Sequence, residues 1–288
     1  MWIGAAFLSA LLLGLYDVAK KRSLTGNAVI PVLFLNTLFA TLLFSPVILD
    51  AELSLGLFEG TMLQSTTYGL KAHTLVAIKA VITLSSWLCG YYAIKYLPLT
   101  IVGPVNATRP VVVLAGAMLL FGERLNAWQW AGVLLTIVSL YLLSIAGRKE
   151  SISFRRSRHV WALFVAMLLG AVSGLWDKYI ISTHALDPLF VQSWFSVYQL
   201  IIMAVITATV WLPQRASEPF AWVCTIPLIS LFVSAADFCY YHALDAEGSM
   251  VAVVSMIRRS SVVVTFICGA LLFGERNLRA KAVDMALI

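Results

Sequence analysis

Long apolar windows separated by short polar breaks run along the chain. Between breaks the windows are approximately 2–22, 29–49, 72–94, 99–121, 126–146, 160–182, 188–212, 222–244 and 250–273, with a last, partial window from 278. Each full window approximates the about 20 residues with which an α-helix crosses hydrocarbon. The breaks carry helix-ending residues: Thr25-Gly26-Asn27, Leu97-Pro98, Gly122-Glu123-Arg124, Asp187-Pro188 and Gly274-Glu275-Arg276. Backbone in hydrocarbon must satisfy its own hydrogen bonds, which leaves helices or a closed barrel. Barrel strands alternate apolar and polar residues, and Val111-Val112-Val113-Leu114 does not. The pattern therefore predicts an all-α integral membrane protein with ten transmembrane helices. The segment 50–71, with Asp50, Glu52 and Glu59, reads as a longer loop in which Leu53, Leu55, Leu57 and Phe58 suggest a short interfacial helix. The most polar stretch, 147–158, reads as a linker between two halves.

Composition agrees with that reading. Of 288 residues, 61% are hydrophobic and only 12% are charged, where a soluble domain carries roughly 25%. The net charge of +6 sits largely in short loops, as topology signals do, so no nucleic-acid partner is expected. Cys89, Cys224, Cys239 and Cys268 lie in apolar windows without metal-ligand spacing and are read as buried small hydrophobes. No metal, disulfide or cofactor is expected. Met1-Trp2-Ile3-Gly4 lacks the basic start of a secretory signal, so the first window is expected to be a retained helix.

The two halves match each other. Gly14-Leu15-Tyr16-Asp17 recurs as Gly174-Leu175-Trp176-Asp177, and Cys89-Gly90-Tyr91-Tyr92-Ala93 as Cys239-Tyr240-Tyr241-His242-Ala243. Leu119-Leu120-Phe121-Gly122-Glu123-Arg124 recurs as Leu271-Leu272-Phe273-Gly274-Glu275-Arg276. This divides the chain into repeats 1–147 and 159–288 around a basic linker, 148–158. Five helices per repeat is an odd number, so the second copy enters the membrane from the opposite side. Inverted repeats of this kind build secondary transporters, with the substrate site between the halves near the midplane.

Two five-helix units, each with an aromatic-Asp element late in its first helix and a Phe-Gly-Glu-Arg turn between its fourth and fifth, resemble the EamA family of the drug/metabolite transporter superfamily. The resemblance covers nearly the whole chain. It implies ten helices and transport, commonly efflux, of amino acids or other metabolites across a bacterial inner membrane. One departure is plain: the second copy reaches Ile288 only eleven residues into its fifth helix. At 1.5 Å per residue that is about 16 Å, half a bilayer, so the tenth helix is expected to be truncated here and to continue in the natural protein. Counting Lys and Arg places the side holding Lys20, Lys21, Arg22, Lys95 and the 147–158 linker in the cytoplasm and the N-terminus outside. The resemblance implies cytoplasmic termini instead. Cysteine labelling of the linker separates the two.

Charged residues inside a membrane are costly and face partners or cavities. Arg109 near the middle of the fourth window, and Arg259 or its neighbour Arg258 in the ninth, are candidates to bind a carboxylate or phosphate by paired hydrogen bonds, or else to clamp a carbonyl. Asp17 and Asp177 hold equivalent places and suit an ammonium group or a coupling proton, or else pair with Lys20, Lys21 or Lys178. Asp237 lies deeper, with Trp87 at the matching place in the other half. Lys79 stands alone in the third window and is matched with a carboxylate such as Asp237 or with a snorkelling conformation. Pro104 and Pro110, flanking Asn106, predict a kink or hinge, because proline removes helix hydrogen bonds. Trp87, Tyr91, Trp176 and Tyr241 either line a cavity or belong to the interfacial belt. Asn36, Gln192, Tyr198 and Gln199 either line that cavity or bond between helices.

These features point to a secondary active transporter moving a small polar metabolite, an amino acid or related compound, outward by alternating access. Proton coupling or exchange would drive it, since no Walker-type Gly-rich loop is present. The alternative within transport is a phosphorylated or nucleotide-linked sugar, suggested by the arginines. A membrane-embedded enzyme is set aside: HExxH, paired acidic metal motifs and Gly-x-Ser-x-Gly are missing from the membrane windows. The expected partners are the lipid bilayer and a small molecule; a homodimer is left open.

Overall fold

The computed structural model describes residues 2–96, 105–106, 108–122 and 158–261, with scattered positions between 124 and 138 and between 263 and 268. Pro104, the linker 148–157, the Gly274-Glu275-Arg276 turn and the predicted tenth helix lie outside the described residues, as does most of the predicted fifth. The helices are α1 (Trp2–Leu24), α2 (Val29–Leu53), α3 (Leu70–Tyr96), α4 (Arg109–Phe121), α5 (Arg158–Lys178), α6 (Pro188–Ile206), α7 (Ile226–Asp245) and α8 (Val251–Arg259). The helix of α5 continues into a π-helical turn, Tyr179–Thr183, and that of α6 into another, Thr207–Trp211, and then to Gln214. No strand occurs among the described residues. Six helical spans there are long and apolar enough to cross a membrane, and α4 is a shorter apolar helix. Phe7, Leu42, Leu43, Ile201 and Val205 are exposed on these spans, which suits hydrocarbon and would be unfavourable in water.

The chain forms two compact units, Met1–Val81 with Asp177–Glu247, and Ile82–Trp176 with Gly248–Ile288. In the first unit α1 packs on α7, and α2 packs on α6 and α7. Small residues of α1, Ala6, Ser9, Ala10 and Gly14, are buried, and small side chains let helix backbones approach closely. There Ser9 Oγ donates to the Ala236 carbonyl at 2.6 Å. Below α1, Asn27 closes the chain onto the segment before α7: its Nδ2 donates to the Ala221 carbonyl at 2.7 Å, and its Oδ1 accepts from the Ala221 N–H at 2.9 Å. In the second unit α4 packs on α8. Thr83 and Ser173 hydroxyls meet at 2.7 Å, and Ser86 Oγ donates to the Ala166 carbonyl at 2.7 Å, joining α3 to α5.

Several boundaries differ from the sequence reading for local reasons. The expected interfacial helix at 50–71 is a series of turns. Ser54 ends α2 in the left-handed conformation, and Gly56 and Gly60 also have positive φ. The buried Asp50 carboxylate then accepts from the N–H groups of Leu57 (2.6 Å) and Phe58 (3.3 Å), which wraps the loop around the helix end. The helix expected at 222–244 starts at Ile226, with Pro227 in its first turn, where proline's missing N–H costs nothing. Cys224 thereby falls in the preceding loop and is exposed, while Cys89, Cys239 and Cys268 are half-buried; these are not the fully buried thiols that their apolar windows suggested. Asp187, read only as a break, caps α6: its carboxylate accepts from the N–H groups of Leu189 and Phe190, with Pro188 at the first position.

Candidate functional site

In the first unit Lys79 of α3 is 2% exposed and Asp177 of α5 is 5% exposed, and the lysine ammonium donates to Asp177 Oδ1. Lys79 lies nine residues into α3, about 14 Å along it at 1.5 Å per residue, inside a span long enough to cross a hydrocarbon layer about 30 Å thick. The ammonium also stands over two aromatic faces, 4.2 Å from the ring centroid of Phe195 and 4.8 Å from that of Tyr241. A carboxylate and two ring faces around one cation combine charge pairing with quadrupole attraction, both strengthened by desolvation. Phe195 reaches the site from α6 and Tyr241 from α7.

Polar groups flank this cluster along α6. Gln192, Phe195 and Gln199 follow helical spacing on one face. Gln192 and Gln199 are both buried; Gln192 Nε2 donates to the Ser234 carbonyl at 2.6 Å. Gln192 Oε1, Gln199 Nε2 and, on α2, Asn36 Oδ1 are buried without a hydrogen-bond partner among the described residues. Such atoms are rare in folded proteins and mark places where a further polar partner is accepted. Directly after Asp177 and Lys178 the helix widens into its π-helical turn, in which the His184 N–H donates to the Tyr179 carbonyl at 3.2 Å. Wide turns of this kind occur often at functional sites.

The matching place in the other half is built differently. At the offset of 160 residues that relates Asp177 to Asp17, and of 150 that relates Cys239 to Cys89, the counterpart of the Lys79–Asp177 pair is Ile229 with Asp17. Ile229 is fully buried. Asp17 is about one-third exposed and pairs along its own helix with Lys20 at 2.6 Å. Asp237, the carboxylate suggested for Lys79, is half-buried on α7, and Asp177 holds the lysine instead.

The remaining sequence candidates belong to the second unit. Arg109 opens α4 rather than lying mid-helix, because Thr108 interrupts the run after Val105-Asn106 and Pro110 sits in the first turn of the new helix. Its Nη2 donates to the Gly170 carbonyl of α5. Asn106 is half-buried just before that break, Arg259 with Arg258 forms the last turn of α8, Tyr91 is buried, and Trp87 and Trp176 are half-buried. The candidates are thus divided: Asp17, Asp177, Asp237 and Tyr241 in one unit, Arg109, Asn106, Arg259, Tyr91, Trp87 and Trp176 in the other. Phe195 escaped the sequence reading, since a phenylalanine in an apolar window carries no signal of its own.

The whole-chain fold has precedent. A solved structure, titled only as the crystal structure of a protein, superposes with a TM-score of 0.69 at 16% identity, covering 99% of this chain and 93% of its own. At that identity the likeness shows a shared fold. No curated protein matches the sequence. The model of the EamA-like transporter family matches residues 1–145, half of the chain and the portion holding Asp17, Lys79, Asn106 and Arg109. The protein is accordingly a multi-pass, helical membrane protein that belongs to the EamA-like transporter family.

Proposed function

We propose that this protein is a secondary active transporter that carries a small polar metabolite, an amino acid or related compound, out of a bacterial cell across the inner membrane. Two inverted halves would present the site alternately to each side, driven by proton coupling or exchange. The buried Lys79–Asp177 pair carries the substrate part of this reading. Each charge at mid-membrane costs about 2.5–3.5 kcal/mol on insertion scales, and well-packed apolar residues often serve stability as well as a buried pair does. The other half of the repeat has Ile229 at the corresponding place, so packing alone does not require the pair. Opposite charges side by side match the ammonium and carboxylate of an amino acid, and a neutral pair loaded with a zwitterion remains neutral while it reorients. The inverted-repeat reading draws support from the packing of α2 on α6 and of α4 on α8, which hold matching places in the two halves.

The test is flux of labelled amino acids into and out of proteoliposomes under an imposed proton gradient. Gradient-dependent movement that is lost in Lys79→Met is the expected result; no movement of any metabolite tried would sink the reading. The arginines on the packed helices α4 and α8 favour one alternative cargo, a phosphorylated or nucleotide-linked sugar. Counterflow of such a sugar in place of amino acids would establish it.

A further inference from the structure

We propose that Asp177, Phe195 and Tyr241 form a cage for an organic ammonium group, and that Lys79 fills it as a tethered stand-in which the substrate's ammonium displaces. The inference rests on the transport reading above and names the part of the site that takes the cationic end of the substrate.

Among the described residues the cage consists of one carboxylate and two aromatic faces, at 4.2 and 4.8 Å from the lysine ammonium. Those groups recognise a compact cation by charge and by ring quadrupole, and they do so equally for any primary ammonium that reaches them. Lysine carries its charge on a flexible four-carbon stem, so the occupant of the cage can leave while its backbone stays in α3. Exchange of one ammonium for another leaves Asp177 neutralised throughout, and neither the empty nor the loaded site exposes a bare carboxylate to hydrocarbon. The displaced Lys79 ammonium is then available to the substrate's anionic end. Gln192 and Gln199, one turn to either side of Phe195 on the same face of α6, bring buried amide atoms without partners to the flanks of the cage. Ile229 replaces lysine at the matching place, so the cage is not repeated there.

The experiment deletes the stand-in and restores it from solution. Lys79→Ala removes three carbons and the ammonium, the equivalent of n-propylammonium. In the purified full chain in detergent, n-propylammonium should raise the Tm of Lys79→Ala saturably by about 2–4 °C, with one ligand per chain. n-Propanol and propionate should not, and Lys79→Ala/Asp177→Asn should lose the response. Absence of a saturable shift, or an equal shift with n-propanol, overturns the cage. Should Lys79→Ala not fold, the wild-type chain decides: tetramethylammonium, against sodium at equal ionic strength, should increase acylation of Lys79 by a small amine-reactive ester several-fold in peptide mass spectra, and unchanged labelling overturns displacement. The two readings fail separately. Flux without rescue removes the cage and keeps transport, whereas rescue without flux supports the cage and removes transport.

Discussion

Lys79 and Asp177 are both buried and both charged, so each one's tolerance of its surroundings depends on the other. Breaking a buried pair on one side typically destabilises by about 3–5 kcal/mol, because an uncompensated charge is left behind. Lys79→Met and Asp177→Asn should each lower the Tm strongly, while the double variant recovers most of the folded yield and transports nothing. Additive losses in a double-mutant cycle would show that the two charges are not coupled. Asn27 supports the fold by a different route, since its amide makes both a donated and an accepted bond to Ala221. Asn27→Ala should lower stability by about 1–3 kcal/mol, measured by thermal unfolding, with flux per folded molecule retained. At this scale the sequence showed that Lys79 and Asp177 are expensive residues but not that they meet: it suggested a carboxylate such as Asp237 for the lysine and Lys20, Lys21 or Lys178 for the aspartate, and only the placement of α3 beside α5 joins the two.

The helices themselves were legible, because each is a run of apolar residues bounded by turn chemistry, and α1, α2, α3 and α6 begin within two residues of their windows. The π-helical turns at Tyr179–Thr183 and Thr207–Trp211 were not. Neither contains glycine or proline, so no residue in them signals a wider turn; in the first, Ser182 Oγ donates to the Leu244 carbonyl of α7 at 3.2 Å. Amides in both turns should exchange with deuterium faster than those of the preceding helix, read by mass spectrometry; equal protection would show that the wide turns are as rigid as α-helix. Gly170 shows how closely α4 and α5 approach, since a Cβ added there would stand 2.8 Å from Arg109 Cζ. A guanidinium can shift by that little, so Gly170→Ala should be tolerated. Gly170→Leu should displace Arg109 altogether and lower the Tm by several degrees, and equal behaviour of the two variants would mean that Arg109 is not held against this helix.

For the molecule as a whole, the exposed apolar side chains matter as much as the core. Ile201 faces outward from α6, and an arginine at such a depth costs about 2.5–3.5 kcal/mol on insertion scales. Ile201→Arg should therefore reduce membrane-integrated yield well below that of Ile201→Ala, as measured in carbonate-washed membranes; equal yields would place Ile201 away from lipid. The repeat motifs pointed to two sequential halves, whereas each compact unit draws helices from both of them. The sequence by itself determined that the chain spans a membrane, that its elements are helices and that its motifs recur, because hydrocarbon imposes these demands on every window of about 20 residues independently. Only the tertiary structure decided that Lys79 meets Asp177 across 98 residues of chain, that the lysine ammonium stands over the Phe195 and Tyr241 rings, and that the equivalent Asp17 turns instead to Lys20 on its own helix. Those choices depend on which helices become neighbours, and hydrophobicity, being non-directional, does not encode neighbours.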